Sequence, residues 1–292
     1  MTSTILLSWE SMRVGQLVGK FSPNFDDAHV HSFKTAVDPH SEIYSSEIPP
    51  SLAFDTLHAV NEFIELPQGT VHSKEATQFH GIAEPHLSTT VEIFVADKSV
   101  RKGKQNFTLE YRAFSGEAHV LTAYKSFVIP GVSTEAEKNP IAFDFGLFGN
   151  KLDATHTYAL NDTKFQVTQE LLDSFGEVTA TDGPIHSDPE IATPQFGGTI
   201  LQGMYLFELT SQRMSCLSST ERWLQSGKIA AKFVGSSITS ETVSIATAMR
   251  NIDEDSQRIH CSFEARTDSG RTVFVAEAEG PLDSKLILEK AK

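Results

Sequence analysis

The sequence of 292 residues is poor in cysteine and in basic side chains, and it has no long apolar run. Cys216 and Cys261 are its only cysteines, too few for a disulfide framework or a zinc site of four cysteines. No segment approaches the ~18 uncharged apolar residues that a membrane-spanning helix needs, so we expect no membrane partner. The formal net charge of −14, from 38 acidic and 24 basic residues, argues against nucleic-acid binding.

Targeting and metal-binding patterns are also missing. The N-terminus lacks the basic and long apolar regions of a signal peptide, and the C-terminus is not a peroxisomal signal, so we expect a cytoplasmic protein. We predict no metal, because five scattered histidines match no ligand spacing: His29, His31, His40, His58 and His72. We expect no cofactor either. One basic cluster could bind a phosphate, although a solvated hairpin is the simpler interpretation: Lys98, Arg101, Lys102 and Lys104.

A repeat of about half the chain length organises the sequence. Residues 21–57 and 165–209 both contain a capped short helix, a Ser-Phe pair, a turn rich in Asp, Pro and His, and a longer apolar segment. Stretches with alternating or β-branched residues follow each copy, which is typical of antiparallel hairpins. The sequence therefore predicts an α+β fold whose halves each contain a long buried helix, at 51–64 and 198–214.

The boundary between the halves follows from composition. The stretch 130–150 carries proline, glycine and a run of charges, which is typical of a linker. We therefore predict an N-terminal half over 1–135, a linker over 136–152 and a C-terminal half over 153–292.

Residues 175–204 read FGEVTATDGPIHSDPEIATPQFGGTILQGM. This segment resembles the signature of the MaoC-like, R-specific enoyl-CoA hydratases, F-x-x-x-[ST]-G-D-x-N-P-[IL]-H-x-D-x-x-x-A followed by V-H-G-M. The matching positions are Phe175, Thr179, Pro184, Ile185, His186, Asp188, Ala192, Gly203 and Met204. The resemblance implies a hotdog fold, a long helix wrapped by a curved sheet. Two halves in one chain imply a double hotdog whose N-terminal half lacks the catalytic phrase.

The departures from that signature concern its catalytic carboxylate. Aligned without a gap, the family's Asp falls on Thr181, its glycine on Ala180 and its Asn on Gly183. With a loop one residue shorter, Asp182 would take the Asp position instead. We expect Asp182 to point into the site; otherwise it faces solvent and His186 acts without a carboxylate partner.

The resemblance implies acid–base chemistry on an enoyl or β-hydroxyacyl thioester. His186, with Asp182 or Thr181, would handle the protons. The backbone N–H of Gly203, near the N-terminus of the predicted buried helix, would stabilise negative charge on the thioester carbonyl. Gln202 stands where the family has histidine, and with Met204 and Gly183 it completes the expected substrate-binding residues. We expect the pocket between the halves, beside His186.

The leading hypothesis is therefore a MaoC-like dehydratase or hydratase whose small acyl substrate is carried by CoA or a carrier protein. A second hypothesis is a tailoring enzyme on the same scaffold, which would isomerise, cyclise or dehydrate a free polyketide-like or terpenoid-like intermediate with His186 and Asp182. A third is a non-catalytic partner subunit. Fold similarity cannot choose among them, and a homodimer is a possible assembly.

Overall fold

The computed structural model describes residues 6–23, 25–38, 43–44, 62–67, 69–84, 87–131, 133–149, 158–253, 255 and 257–283. Their strands form one antiparallel sheet of ten strands in the order β1-β3-β4-β5-β2-β7-β10-β9-β8-β6. The strands of the first half are β1 (Leu17–Phe21), β2 (Val71–Phe79), β3 (Thr89–Arg101), β4 (Lys104–Ser115) and β5 (Ala118–Val128). Those of the second half are β6 (Tyr158–Gln166), β7 (Lys228–Phe233), β8 (Thr242–Asp253), β9 (Arg258–Thr267) and β10 (Thr272–Pro281).

Across the sheet, the strands of the second half stand in the reverse order of the equivalent strands of the first half. Each half begins with an edge strand, runs through three consecutive antiparallel strands and ends on an inner strand, β2 or β7. These two inner strands pair with each other from Lys74 opposite Lys232 to Gln78 opposite Lys228, which joins the halves into one sheet. The repeat seen in the sequence is therefore a repeat of architecture, and the α+β prediction is confirmed.

A short helix in each half carries the Ser-Phe pair of the repeat. Helix α1 (Asp27–Val37) is capped by Asp26, whose carboxylate accepts from the His29 amide, and α2 (Gln169–Thr179) is capped by Thr168. The two phenylalanines of the repeat, Phe33 and Phe175, are fully buried and lie 6.1 Å apart between ring centroids. The short helices thus meet through equivalent aromatic residues.

The long helix of the second half is α5 (Gly203–Ser218), preceded by α3 (Pro184–Ser187) and α4 (Pro189–Phe196) and followed by α6 (Thr220–Ser226). Its predicted start at residue 198 is wrong by five residues. Residues before Gly203 are extended, because Ile200 bridges Ile238 and the Leu201 amide donates to the Ser237 carbonyl at 2.9 Å. Of the other predicted long helix, 51–64, all but the last three residues lie outside the described residues.

The core lies between the helices and one face of the sheet. Helix α5 buries residues on every side, from Met204 to Ser218, as a central helix must. On the opposite face, Leu147 packs against Ala76 of β2 and Ala230 of β7, where the two halves meet. No helix within the described residues is long and apolar enough to cross a membrane.

Candidate active site

His186 sits in the four-residue helix α3, which Pro184 opens. Its Nδ1 lies 2.7 Å from the carbonyl oxygen of Ile200. A carbonyl only accepts hydrogen bonds, so this contact places the proton of a neutral ring on Nδ1 and leaves a lone pair on Nε2. Burial lowers the pKa of His186, and the bond to Ile200 opposes that effect only in part. The ring is therefore a neutral base at pH 7.

Gln169 fixes the backbone of His186, and sequence analysis missed it. Its Nε2 donates to the His186 carbonyl at 2.9 Å, and its Oε1 accepts from the Thr199 hydroxyl at 2.7 Å. One amide thus ties the His186 turn to the segment that leads into α5. Gln169 is an ordinary first residue of a helix in the sequence, and no local pattern marks it.

The turn after α2 bears on how the motif aligns. Ala180 ends the helix in the left-handed region, at φ 50° and ψ 38°, a conformation that glycine adopts far more readily than residues with a Cβ. This is the position on which the gapless alignment places the family's glycine. The backbone therefore favours that alignment, in which Thr181 stands in place of the carboxylate.

The hydroxyl of Thr181 has a defined direction. Thr179 Oγ1 donates to the Phe175 carbonyl at 2.6 Å and lies 2.6 Å from Thr181 Oγ1. Because the proton of Thr179 is already used, Thr181 donates to Thr179 and keeps its own lone pairs free to accept. Thr181 thus offers an uncharged acceptor where the family has a charged one.

Asp182 is exposed, and among the described residues no hydrogen bond or ion pair joins its carboxylate to His186. Its main chain is held instead, since the Ser187 hydroxyl donates to the Asp182 carbonyl at 2.8 Å. Gly183, also exposed, accepts from the His186 amide at 2.8 Å. This geometry favours the alternative in which Asp182 faces solvent; its inward orientation stays a prediction.

Gln202 links the Thr181 turn to the start of α5. Its buried side chain donates through Nε2 to the Leu172 carbonyl at 3.0 Å and to the Thr181 carbonyl at 3.4 Å. Its Oε1 is buried and has no hydrogen-bond partner in the described part of the chain. A buried acceptor without a partner is costly, so Gln202 is held here at some expense to stability.

Gly203 is the first residue of α5, where backbone N–H groups have no partner within the helix. A Cβ at this position would lie 2.6 Å from the ring of Phe233, so packing against β7 requires glycine here. This reason differs from the close approach of substrate that the sequence suggested. Met204, the next residue, is buried in the core.

The basic cluster of the β3–β4 hairpin already holds an anion from the chain itself. The carboxylate of Glu137 accepts from the amides of Lys102 at 3.0 Å and Gly103 at 2.8 Å. Lys98 lies over the ring of Trp9, 4.0 Å from its centroid. The interpretation as a surface hairpin therefore fits better than a phosphate site.

Two further features concern ligands. Among the described residues, which leave out His40 and His58, no three histidine, cysteine or carboxylate side chains converge on a metal-sized position.

A groove of about 690 Å³ between α1 and α2 is lined by His29, His31, Glu170 and Glu177, among others, and not by His186. The pocket expected beside His186 stays a prediction.

Comparisons with protein-family models and with curated proteins gave no match. Solved structures do match over nearly the whole chain. A MaoC-like dehydratase from Phytophthora capsici has a TM-score of 0.70 at 12% identity, covering 92% of this chain and 97% of that one. A MaoC domain protein dehydratase from Chloroflexus aurantiacus gives 0.69 at 9% identity, with coverage of 96% and 98%.

A protein from Mycobacterium tuberculosis described as having a double hotdog fold gives a TM-score of 0.63 at 11% identity, with coverage of 94% and 98%. The fold of this chain is therefore the double hotdog. It is the fold of MaoC-like dehydratases, as the resemblance of residues 175–204 implied.

Proposed function

We propose that the protein is a lyase that dehydrates a β-hydroxyacyl thioester or hydrates the corresponding enoyl thioester by acid–base catalysis. The observation that carries the proposal is the His186 ring, whose Nδ1 is bound to Ile200 and whose Nε2 is left as a base. Ile200 lies three residues before Gly203, at the N-terminus of α5. The proposed base is thus hydrogen-bonded to the segment that leads into the proposed backbone donor.

The chemistry can be written with the residues of this chain. Nε2 of His186 takes the proton from C2, and negative charge that develops on the thioester oxygen is stabilised by the Gly203 N–H. The C3–O bond then breaks, and the proton on His186 goes to the leaving hydroxyl to form water while the C2=C3 double bond forms. Hydration is the same sequence in reverse.

Thr181 has an orienting role in this scheme. Its oxygen, with lone pairs free because its proton goes to Thr179, accepts a hydrogen bond from the substrate hydroxyl. It cannot ionise near neutral pH, so His186 carries both proton transfers. Asp182, at the exposed edge of the turn, is the carboxylate that would share this work if the turn rearranged on binding.

A tailoring enzyme acting on a free intermediate is the second candidate, and one observation favours it. Glu137 occupies the amides of the β3–β4 hairpin, so the basic cluster is less suited to the phosphates of CoA. A proton shift along a conjugated chain would need His186 and the Gly203 donor but no carboxylate to activate water.

The test is turnover by the purified protein of a series of 3-hydroxyacyl-CoA and trans-2-enoyl-CoA thioesters, beside free hydroxy acids and lactones, followed by mass spectrometry. We expect thioester turnover and a loss of roughly 10²–10⁴-fold in His186→Gln. The control is His80→Gln, an exposed histidine at the end of β2, which should keep full activity. Turnover of free acids or lactones alone would establish the second candidate, and no turnover at all would favour a partner subunit.

A further inference from the structure

Strand β2 contains a bulge that changes the direction of one histidine. His72 stands opposite Phe127 and Lys74 opposite Ser126, so Ser73 is the extra residue. Bulges of this kind turn a side chain to a different face of the sheet and are common beside functional sites. Here the bulge brings His72 onto the same face as Glu75, although the two residues are three apart.

This face is the one that packs against the helices. Glu75, Thr77 and Phe79 alternate along β2 and therefore share a face. The ring of Phe79 lies 5.2 Å from that of Trp223 in α6. The side chains of His72 and Glu75 therefore point to the interior of the protein and away from the outer face that Leu147 covers.

Three ionisable side chains meet there. The carboxylate of Glu75 accepts from Lys125 Nζ at 3.0 and 2.9 Å, and both side chains are completely buried. His72 Nε2 lies 3.1 Å from Glu75 Oε2. Burial alone would raise the pKa of Glu75, but the Lys125 ammonium and the His72 ring together outweigh it, and the pKa is lowered. The pair is thus ionised, and its two charges cancel.

The ring of His72 is held in an aromatic slot. It stacks on Phe127 at 5.1 Å and lies 4.9 Å from Phe233, between ring centroids. Burial lowers its pKa, so the ring is neutral. Its buried Nε2 faces Glu75 Oε2 at 3.1 Å and has no other polar partner among the described residues. The cluster therefore includes a preoriented ring nitrogen with a single polar contact.

The slot connects this cluster to the candidate active site. Phe233 is also the ring against which Gly203 packs, with a Cβ at Gly203 reaching within 2.6 Å of it. One aromatic ring thus separates His72 from the helix N-terminus at which we place the thioester carbonyl. The cluster belongs to the first half, which the sequence predicts to line the acyl part of the pocket.

We propose that His72, Glu75 and Lys125 bind a neutral oxygen function, a hydroxyl or a ketone, on the acyl chain of the substrate. The inference rests on the proposed function and narrows its substrate to an oxygenated, polyketide-like chain. A plain alkyl chain would leave the polar cluster unsatisfied in the interior, at a cost. A carboxylate would add an uncompensated charge to a cluster that is already neutral.

The experiment compares trans-2-octenoyl-CoA with analogues that carry one ketone at successive carbons beyond C4. For at least one position, we expect kcat/KM of the wild-type protein to exceed that for the plain chain by tenfold or more, since sites built to bind an oxygen reject analogues that lack it. His72→Phe should reduce this ratio to about one. So should the double variant Glu75→Gln with Lys125→Met, which leaves no unpaired charge.

Lys228→Met, which removes a lysine paired with Glu279 in the second half, is the matched control and should keep the preference. A wild-type protein without preference for any ketone position, or a preference that survives in His72→Phe, overturns the inference. Thermal unfolding identifies variants that fail to fold. In that case the wild-type ratio of kcat/KM for the ketone analogue to kcat/KM for the plain chain supports or contradicts the inference by itself.

The design separates this inference from the proposed function. If no octenoyl thioester is turned over, the proposed function fails, and calorimetry with free oxooctanoic acids and octanoic acid takes the place of kinetics. Tighter binding of an oxo acid to the wild-type protein, lost in His72→Phe, supports the cluster as an oxygen site without any thioester chemistry. Equal binding of both acids contradicts it.

Discussion

His186 donates through Nδ1 to the carbonyl oxygen of Ile200, 2.7 Å away, and this bond fixes the ring to the segment that leads into the central helix. The Ile200 amide in turn donates to the Ile185 carbonyl at 3.0 Å. The turn that contains His186 and the segment before α5 are therefore joined by two hydrogen bonds, one donated by each of them. Because α5 begins at Gly203, the proposed base is bonded to the segment that leads to the proposed backbone donor, and such a connection would support the preorganisation that electrostatic catalysis needs.

Gln169 is the positioning residue of this arrangement. Replacing it by alanine removes the donor to the His186 carbonyl and the nearer of two acceptors of the Thr199 hydroxyl, which keeps only its 3.2 Å contact with Thr239 Oγ1 among the described residues. We expect kcat to fall about tenfold, the equivalent of one lost hydrogen bond, with little change in KM. The control is Gln225→Ala, an exposed helical glutamine whose side chain donates to Glu221 at 3.2 Å. A rise in KM with an unchanged kcat would contradict a positioning role.

Ala180 in the left-handed region gives a prediction about stability. Ala180→Gly relieves the steric cost of the Cβ at positive φ, so we expect the free energy of unfolding to rise by about 0.5–1 kcal/mol. Ala28→Gly, at an exposed position of α1, should lower it instead, because glycine weakens a helix. Urea denaturation measures both changes. A destabilised Ala180→Gly variant would show that α2 ends differently.

Much of the fold could be predicted because its signals are local. Period-2 stretches place the strands, and the caps of α1 and α2 lie within three residues of the amides that they bind. The Ser-Phe pairs of the repeat even identify two residues, Phe33 and Phe175, that meet in the core. His186 is a candidate because it stands in a long phrase rather than alone.

What could not be predicted depends on contacts distant in sequence. Residues 198–202 look like the start of a helix, but their main chain pairs with residues near Ser237. Gln169 reaches His186 across 17 residues. Alanine carries no sign that Ala180 adopts positive φ. Tertiary contacts therefore determine where α5 starts and how the chain turns at Ala180, and the helix propensity of these residues does not reveal either.

Gly203 and Phe233 should behave as a coupled pair. A Cβ at Gly203 would lie 2.6 Å from the Phe233 ring, so Gly203→Ala should destabilise the protein by about 1–3 kcal/mol through overpacking. Adding Phe233→Leu should recover part of that loss, since the smaller side chain makes room. A double-mutant cycle of denaturation free energies measures the coupling. Additive changes would mean that the ring moves aside freely.

Two largely buried histidines, His72 and His186, predict how stability depends on pH. Burial lowers the pKa of both His72 and His186 from the ordinary value of 6.5. A lowered folded-state pKa means that the unfolded chain binds more protons. Their contribution is therefore fully present above 6.5 and is lost as pH falls from there through the folded-state pKa.

Denaturation at a series of pH values should show this decrease, and His72→Phe should flatten it. Glu75, whose pKa is also lowered, contributes a separate loss below about 4.3, the ordinary glutamate value. The kcat/KM profile should rise with an apparent pKa below 6.5, because only neutral His186 acts as a base. A stability that is constant between 6.5 and 5 would contradict the burial of these rings.

The last prediction decides between the two alignments of the motif. Thr181 donates its proton to Thr179 and keeps its lone pairs free to accept, whereas Asp182 is exposed. Thr181→Val removes the acceptor for the substrate hydroxyl and should lower kcat/KM about tenfold, the cost of one hydrogen bond. Asp182→Asn should change it less than about threefold, because an exposed carboxylate without a role in proton transfer contributes little. Thr181→Ser keeps the hydroxyl and serves as the control. If Asp182→Asn instead loses 10²-fold or more, the typical size of a general acid–base contribution, the turn rearranges on binding and Asp182 is the catalytic carboxylate.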